Sequence, residues 1–219
     1  MNKFEKSRKR KKAKMINGAV TSRKRILTTE QVLQLRSACN STTPGGIRDL
    51  AILDSMLYQG MRLKEVANLR LEHIHFGAGQ FFIDIKGRPI SVKAHDTWLQ
   101  RLKDWLEQRG VSLEKDRGPI FVQNRKFVKG PRNPLGKRTI SYLVARYGNL
   151  AGIAPLKGSN RLFPMDLRRT CARNAYDRGA GLVSITAFLG FNHLESTARF
   201  INILEFADSE SAVDQIQYD

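Results

Sequence analysis

The stretch 163-FPMDLRRTCARNAYDRGAGLVSITAFLGF-191 decides how the rest of the chain is read. Pro164 and Asp166 mark a helix start, because proline suits the first turn and an acidic residue there complements the helix dipole. Leu167, Cys171 and Ala175 recur every four residues and share one helical face. Arg168 and Arg169 fall in the first turn, where a guanidinium can grip a phosphate through two parallel hydrogen bonds. The following 189-LGFNHLESTARFINI-203 reads as a tight glycine turn leading into a short helix that carries Phe200.

Charge bounds the partner. The 219 residues hold 38 Lys and Arg against 20 Asp and Glu, a net +18. Residues 1–25 alone contain 11 of those basic residues and one acid. Such a distribution fits a polyanion, with Arg8, Lys9, Arg10, Lys11 and Lys12 as the densest contact candidates. A membrane-surface helix needs bulky apolar residues on one face, and "KSRKRKKAK" has none, so nucleic acid is the better partner. No aromatic-rich RNA-recognition motif is visible, which favours DNA over RNA. No run approaches the roughly 20 apolar residues of a membrane span. No apolar segment follows the basic N-terminus, so no secretory signal is expected. Cys39 and Cys171 match no metal spacing and read as two reduced thiols of a cytoplasmic protein.

The chain divides into three parts. Residues 1–25 are low-complexity and basic and read as a disordered arm. Order begins at residue 26. Thr28 with Gln31 fits a capping box before apolar Val32, Leu33 and Leu35. A turn at 40–46 precedes a helical stripe of Leu50, Ile52, Leu53, Met56 and Leu57, stopped at Gly60. Residues 62–74 read as a shorter helix running into a strand. "QFFIDIKGRPISVKAH" then changes period, with β runs at 80–85 and 90–93 around a basic turn. A helix over 96–110 buries Trp98, Leu102, Trp105 and Leu106. A short apolar run, 120–122, and a basic loop lead to helices at about 138–152, 165–178, 182–189 and 194–204. The expected fold is mostly α with a small antiparallel β-sheet, an α+β domain over 26–205, followed by a tail at 206–219.

Two further places carry chemistry. In "YQGMRLKEVANL", Arg62 opens a helix two residues after Gly60, so guanidinium and helix dipole together form a phosphate cradle, with Glu65 placed to orient the arginine. Alone, this would be an ordinary surface Arg–Glu pair. Lys86 sits at the hairpin tip beside Arg88, where a lysine can act as a point charge or a proton donor. Alone, it would be a solvated turn lysine.

In their order and spacing these places resemble the catalytic domain of the tyrosine recombinases, or phage-type integrases. "QGMRLKEV" is similar to that family's first box, "TGLRxSEL", with Arg62 at the arginine. Residues 165-MDLRRTCARNAYDRGAGLVSITAFLGF-191 track its second box, "HxLRHTFATxLLxxGxxxxxIxxxLGH", with Arg168 at the arginine. "IKGR" places Lys86 at the family's hairpin lysine. The resemblance implies a tyrosine hydroxyl that attacks a DNA phosphodiester, leaving a 3′-phosphotyrosyl bond and a free 5′-hydroxyl. It implies no metal and no cofactor, since that bond conserves the energy for rejoining. It also implies double-stranded DNA as partner, nucleoid association within the cytoplasm, and a tetramer on two DNA sites, with each tail docking on a neighbour. Two arginines would stabilise charge on the phosphorane-like transition state, and a lysine or histidine would protonate the leaving oxygen. Arg62 and Arg168 take the first role, Lys86 the second, and Arg169 adds charge beside the phosphate.

This chain departs from the family where the protons move. Met165 stands in place of the second-box histidine, and Phe191 in place of the "LGH" histidine. His193, two residues on, is out of register. The family's nucleophile lies nine residues beyond the "LGH" histidine, and here that count reaches Phe200, which has no oxygen. Tyr176, expected in the core, and Tyr218, in the tail, are the alternative phenols. Two explanations stand. One is a Tyr→Phe exchange that silences a cleaving enzyme. The other is a non-cleaving relative kept for DNA binding or regulation, to which Met165 and Phe191 also point. Only a basic stretch of about 25 residues precedes the domain, so the arm is expected to supply grip that a further N-terminal domain provides in most members.

Overall fold

The computed structural model describes residues 25–85, 88–113, 116–123, 133–153 and 161–203. Helix α1 (Thr29–Ser37) begins where the Thr28 and Gln31 capping box predicts, with both reciprocal hydrogen bonds formed. Leu35 is fully buried, whereas Leu33 stays 58 % exposed.

Helix α2 (Pro44–Leu57) is the axis of the domain, with every residue from Asp49 to Leu57 buried. It starts three residues before the predicted 47, because Thr43 caps the Gly46 N–H and Pro44 occupies the first turn. Two buried carboxylates tie its polar positions to neighbours. Asp54 accepts two hydrogen bonds from Arg36, at 2.9 and 3.1 Å, which lock α1 to α2. Burial pushes the Asp54 carboxyl up, and the Arg36 charge pulls it back. Asp49 accepts from Tyr147 OH at 2.9 Å and fixes α5 (Lys137–Leu150).

The 62–74 segment is helix α3 (Leu63–Ala67), a 3₁₀ turn (Leu71–His73) and strand β1 (Ile74–His75). Strands β2 (Gln80–Ile85) and β3 (Arg88–Lys93) complete an antiparallel sheet in the order β1-β2-β3. β3 begins at 88 rather than 90, with Ile85 opposite Arg88 and Asp84 opposite Pro89. As an edge strand, β3 tolerates the N–H that Pro89 lacks. The apolar run at 120–122 forms no strand and holds its place through isolated bridges, such as Val122 to Pro134.

Helix α4 (Asp96–Gln108) packs across α2 with the predicted face inward. Trp98 Nε1 donates to Ser55 Oγ at 2.8 Å, and Trp105 Nε1 donates to the Ile120 carbonyl at 2.9 Å, so both indoles are buried without an unmet donor. Helices α6 (Pro164–Asp177), α7 (Leu182–Leu189) and α8 (Leu194–Phe200) close the domain. α8 ends at Phe200, four residues short of the predicted 204. The three helices enclose a second, smaller core of Ala172, Ile185, Leu189 and Ile201, set apart from the main one. The mostly α architecture with one small antiparallel sheet is therefore as expected. No helix among the described residues is long and apolar enough to cross a membrane.

Candidate functional site

Two left-handed glycines build the site. Gly60, at φ +56°, turns the chain out of α2, and a Cβ there would stand 3.0 Å from the Phe188 ring. Gly190, at φ +62°, ends α7 and leaves the last carbonyls of that helix open to outside donors.

Two guanidiniums meet those carbonyls. Arg168 Nη2 donates to the Leu189 carbonyl at 2.6 Å, and its Nη1 donates to the Gly60 carbonyl. Arg62 Nη2 approaches the same Leu189 carbonyl at 3.3 Å and that of Gly190 at 3.4 Å. Positive charge at the C-terminal end of α7 is favoured by its dipole. Glu65 keeps the two cations together, with carboxylate oxygens 3.7 Å from Arg62 Nη1 and 3.7 Å from Arg168 Nη1. Burial draws the Arg168 guanidinium down to about 10, with Glu65 opposing and Arg62 adding to the fall.

The two arginines are not equivalent. The Arg62 side chain is 43 % exposed and the Arg168 side chain 4 %. Each Arg168 terminal nitrogen is bonded to a backbone carbonyl, Nη1 to that of Gly60 and Nη2 to that of Leu189, and the side chain is buried. The helix-dipole part of the Arg62 cradle is reduced. α3 has only five residues, and the Arg62 N–H donates to Glu65 Oε2 at 2.6 Å.

Phe191 and Phe200 meet beside this pair, with ring centroids 5.3 Å apart, and the Arg168 guanidinium lies 5.9 Å from the Phe191 ring. Arg169 departs most from expectation. It is 7 % exposed. Its Nε donates to the Phe200 carbonyl at 2.9 Å, and its Nη1 donates to Asp166 Oδ1 at 3.0 Å and to the Arg25 carbonyl at 3.2 Å. It is an internal brace and not an exposed charge, because its position in the second turn of α6 faces inward toward α8.

Met165 is 49 % exposed on α6, and His193 is exposed at the N-cap of α8. Tyr176, expected in the core, is instead 38 % exposed near the end of α6. The Cys39 and Cys171 thiols are free and buried, and burial pushes each up to about 12. Lys86, the Arg88 side chain, the arm with Arg8, Lys9, Arg10, Lys11 and Lys12, and Tyr218 lie outside the described residues. Sequence reasoning missed the Leu189 and Gly60 carbonyls as acceptors, since backbone groups carry no residue signature. It also missed the bond between the Thr186 and Thr197 hydroxyls, 2.7 Å long, which pins α8 to α7.

Residues 25–205 match the phage integrase family. The chain belongs to that family. Within the family it is similar to tyrosine recombinase XerD of Xanthomonas axonopodis pv. citri, 29 % identical over 180 residues that cover 79 % of this chain and 56 % of the relative. It is similar to tyrosine recombinase XerC of Oceanobacillus iheyensis, 30 % identical over 183 residues that cover 81 % of this chain and 56 % of the relative. The chain thus spans little more than half the length of these relatives. The integrase-type fold is matched by the XerA recombinase crystal structure, with TM-score 0.66, 22 % identity and coverage of 88 % of this chain and 64 % of that one. The catalytic domain of bacteriophage HP1 integrase matches with TM-score 0.55, 20 % identity and coverage of 87 % and 94 %.

Proposed function

We propose that this phage integrase family chain binds double-stranded DNA and belongs to the chemistry of site-specific strand cleavage and rejoining, with position 200 in the nucleophile's place. One observation carries this reading: Arg62 and Arg168 converge on the Leu189 carbonyl, next to the Phe191 ring on which Phe200 packs. In the reaction, a phenol oxygen at position 200 attacks phosphorus in line and the 5′-oxygen leaves with a proton. Arg62 faces the equatorial oxygens, where charge gathers. Arg168 adds charge from beneath and holds the Leu189 turn. Lys86 is the proton donor. As written, Phe200 supplies no oxygen, so the chain binds DNA and does not cut it. Solved complexes of lambda integrase dimers bound to a core site, and of XerH bound to difH, support DNA as the partner.

The test is restoration of the oxygen. Phe200→Tyr protein is incubated with a nicked suicide duplex and resolved under denaturing conditions. A covalent protein–DNA adduct, absent from the parent chain, is expected. Tight duplex binding without any adduct would support a second reading, a family member that recognises DNA and never cleaves. Met165 favours that second reading, since an exposed thioether cannot move a proton where a histidine is expected.

The assembly reading is a tetramer on two DNA sites, with the tail at 206–219 docking on a neighbouring protomer and the protein residing with DNA in the cytoplasm. A mostly apolar groove of about 560 Å³, lined among others by Leu27, Val32, Leu57, Ile185 and Phe188, supports such docking.

A further inference from the structure

Position 200 is held from one side by a single guanidinium. α8 has seven residues, and its last carbonyls lack partners within the helix. Arg169 supplies one from α6, donating Nε to the Phe200 carbonyl at 2.9 Å, while its Cζ lies 5.0 Å from the Phe200 ring centroid. Arg173, one turn further along α6, donates to the Ile201 carbonyl at 3.3 Å. The same Arg169 holds the Arg25 carbonyl at 3.2 Å, and the adjacent Thr170 hydroxyl accepts from the Leu27 N–H at 2.9 Å. Three segments far apart in sequence therefore meet on one side chain: the root of the basic N-terminal stretch, the start of α6 and the end of α8. Asp166, at 3.0 Å, keeps that buried guanidinium paired.

We propose that Arg169 is a positioning residue for position 200, fixing both the backbone that ends α8 and the ring above it, and tying both to the point where the basic N-terminal segment joins the domain. The proposal rests on the reading of position 200 given above. Its physical content is twofold. The fork of Nε and Nη1 sets where a residue-200 oxygen is delivered, and a displacement of about 1 Å costs in-line attack about 100-fold. The cation over the ring also favours a phenolate there. Other charges near that ring are largely self-paired. Asp166 offsets part of Arg169, Arg173 pairs with Asp177 on α6, and Arg199 pairs with Glu195 on α8. Arg168 lies against the neighbouring Phe191 ring, 5.9 Å from its centroid, and Glu65 offsets its charge.

The full-length Phe200→Tyr chain is the background for the test. Its absorbance titration, minus that of the parent chain, isolates the one introduced phenol. That phenol is expected to ionise below the usual value of about 10. Adding Arg169→Gln together with Asp166→Asn removes the buried pair as a unit. It should raise the midpoint by about 0.5 to 1 pH unit and slow adduct formation on saturating suicide duplex by about 10- to 100-fold. The DNA dissociation constant should change by less than about threefold, because neither group lies on the surface. Arg169→Lys keeps the charge without the fork, so it should retain the low midpoint and still lose rate. An unchanged midpoint and rate in the double variant overturn the proposal. If that variant does not fold, an Arg169→Lys substitution in the Phe200→Tyr background that reacts as fast as Phe200→Tyr alone overturns it equally. If Phe200→Tyr forms no adduct, the cleavage reading fails by itself, and the midpoint shift alone decides whether Arg169 acts on position 200.

Discussion

Arg168 carries more structural weight than its place in a reaction motif suggests. It links the Gly60 turn to the Leu189 turn, so both loops that frame the site depend on one planar fork. Arg168→Lys preserves the charge but offers a single ammonium that cannot satisfy both carbonyls in the same geometry. A loss of about 2 to 3 kcal/mol is expected, read as a lower urea midpoint at unchanged slope. Arg62→Lys, half exposed and bonded at longer distances, should cost less than about 1 kcal/mol in the same assay. At this scale Arg62 and Arg168 were singled out by two boxes that resemble the family's, and the structure brings both side chains to the Leu189 carbonyl. Their inequality was not. Arg168 is buried because α7 brings its last carbonyls over the start of α6, and no residue type encodes that. Arg169 was misread for the same reason: an arginine near the start of α6 looks solvent-facing until α8 covers it.

α8 shows what a short element needs. Seven residues are too few to hold a helix in water. Buried Ala198 and Ile201, the Thr186–Thr197 hydroxyl bond and the two arginine contacts from α6 hold it in place. Thr197→Val keeps the shape and removes the hydroxyl, leaving Thr186 with only the Leu182 carbonyl. Amide exchange in α8 should quicken by about fivefold, the measure of about 1 kcal/mol, while α2 is unchanged. Equal acceleration in α2 would show that α8 opens only with the whole domain. Boundaries of the longer elements were legible where caps announced them, as at Thr28. They slipped where tertiary contacts end a helix, as at Phe200, where guanidiniums rather than further turns take up the carbonyls.

Across the whole molecule, charge is unevenly placed, with 11 basic residues among the first 25, while in the domain the buried Arg168 and Arg169 face Glu65 and Asp166. If the N-terminal segment grips phosphates, Gln at positions 8 to 12 should flatten the salt dependence of duplex binding. The double-logarithmic slope is expected to fall by about 4, with little change in preference among sequences. An unaltered slope, measured by fluorescence anisotropy across salt, would place the phosphate contacts on the folded body instead.

By itself, the sequence determined the architecture, because apolar periodicity and capping residues act over a few neighbouring residues, and its two collinear boxes carried the resemblance to the family in which Arg62 and Arg168 were singled out. It also determined that position 200 lacks an oxygen, a matter of covalent structure. Only the tertiary structure decided how those residues divide the work. Burial separated Arg62 from Arg168, turned Arg169 inward onto Phe200 and Arg25, and brought Tyr176 to the surface. Each outcome depends on which backbone carbonyls and rings arrive from distant segments, and that follows from packing three helices around a small second core.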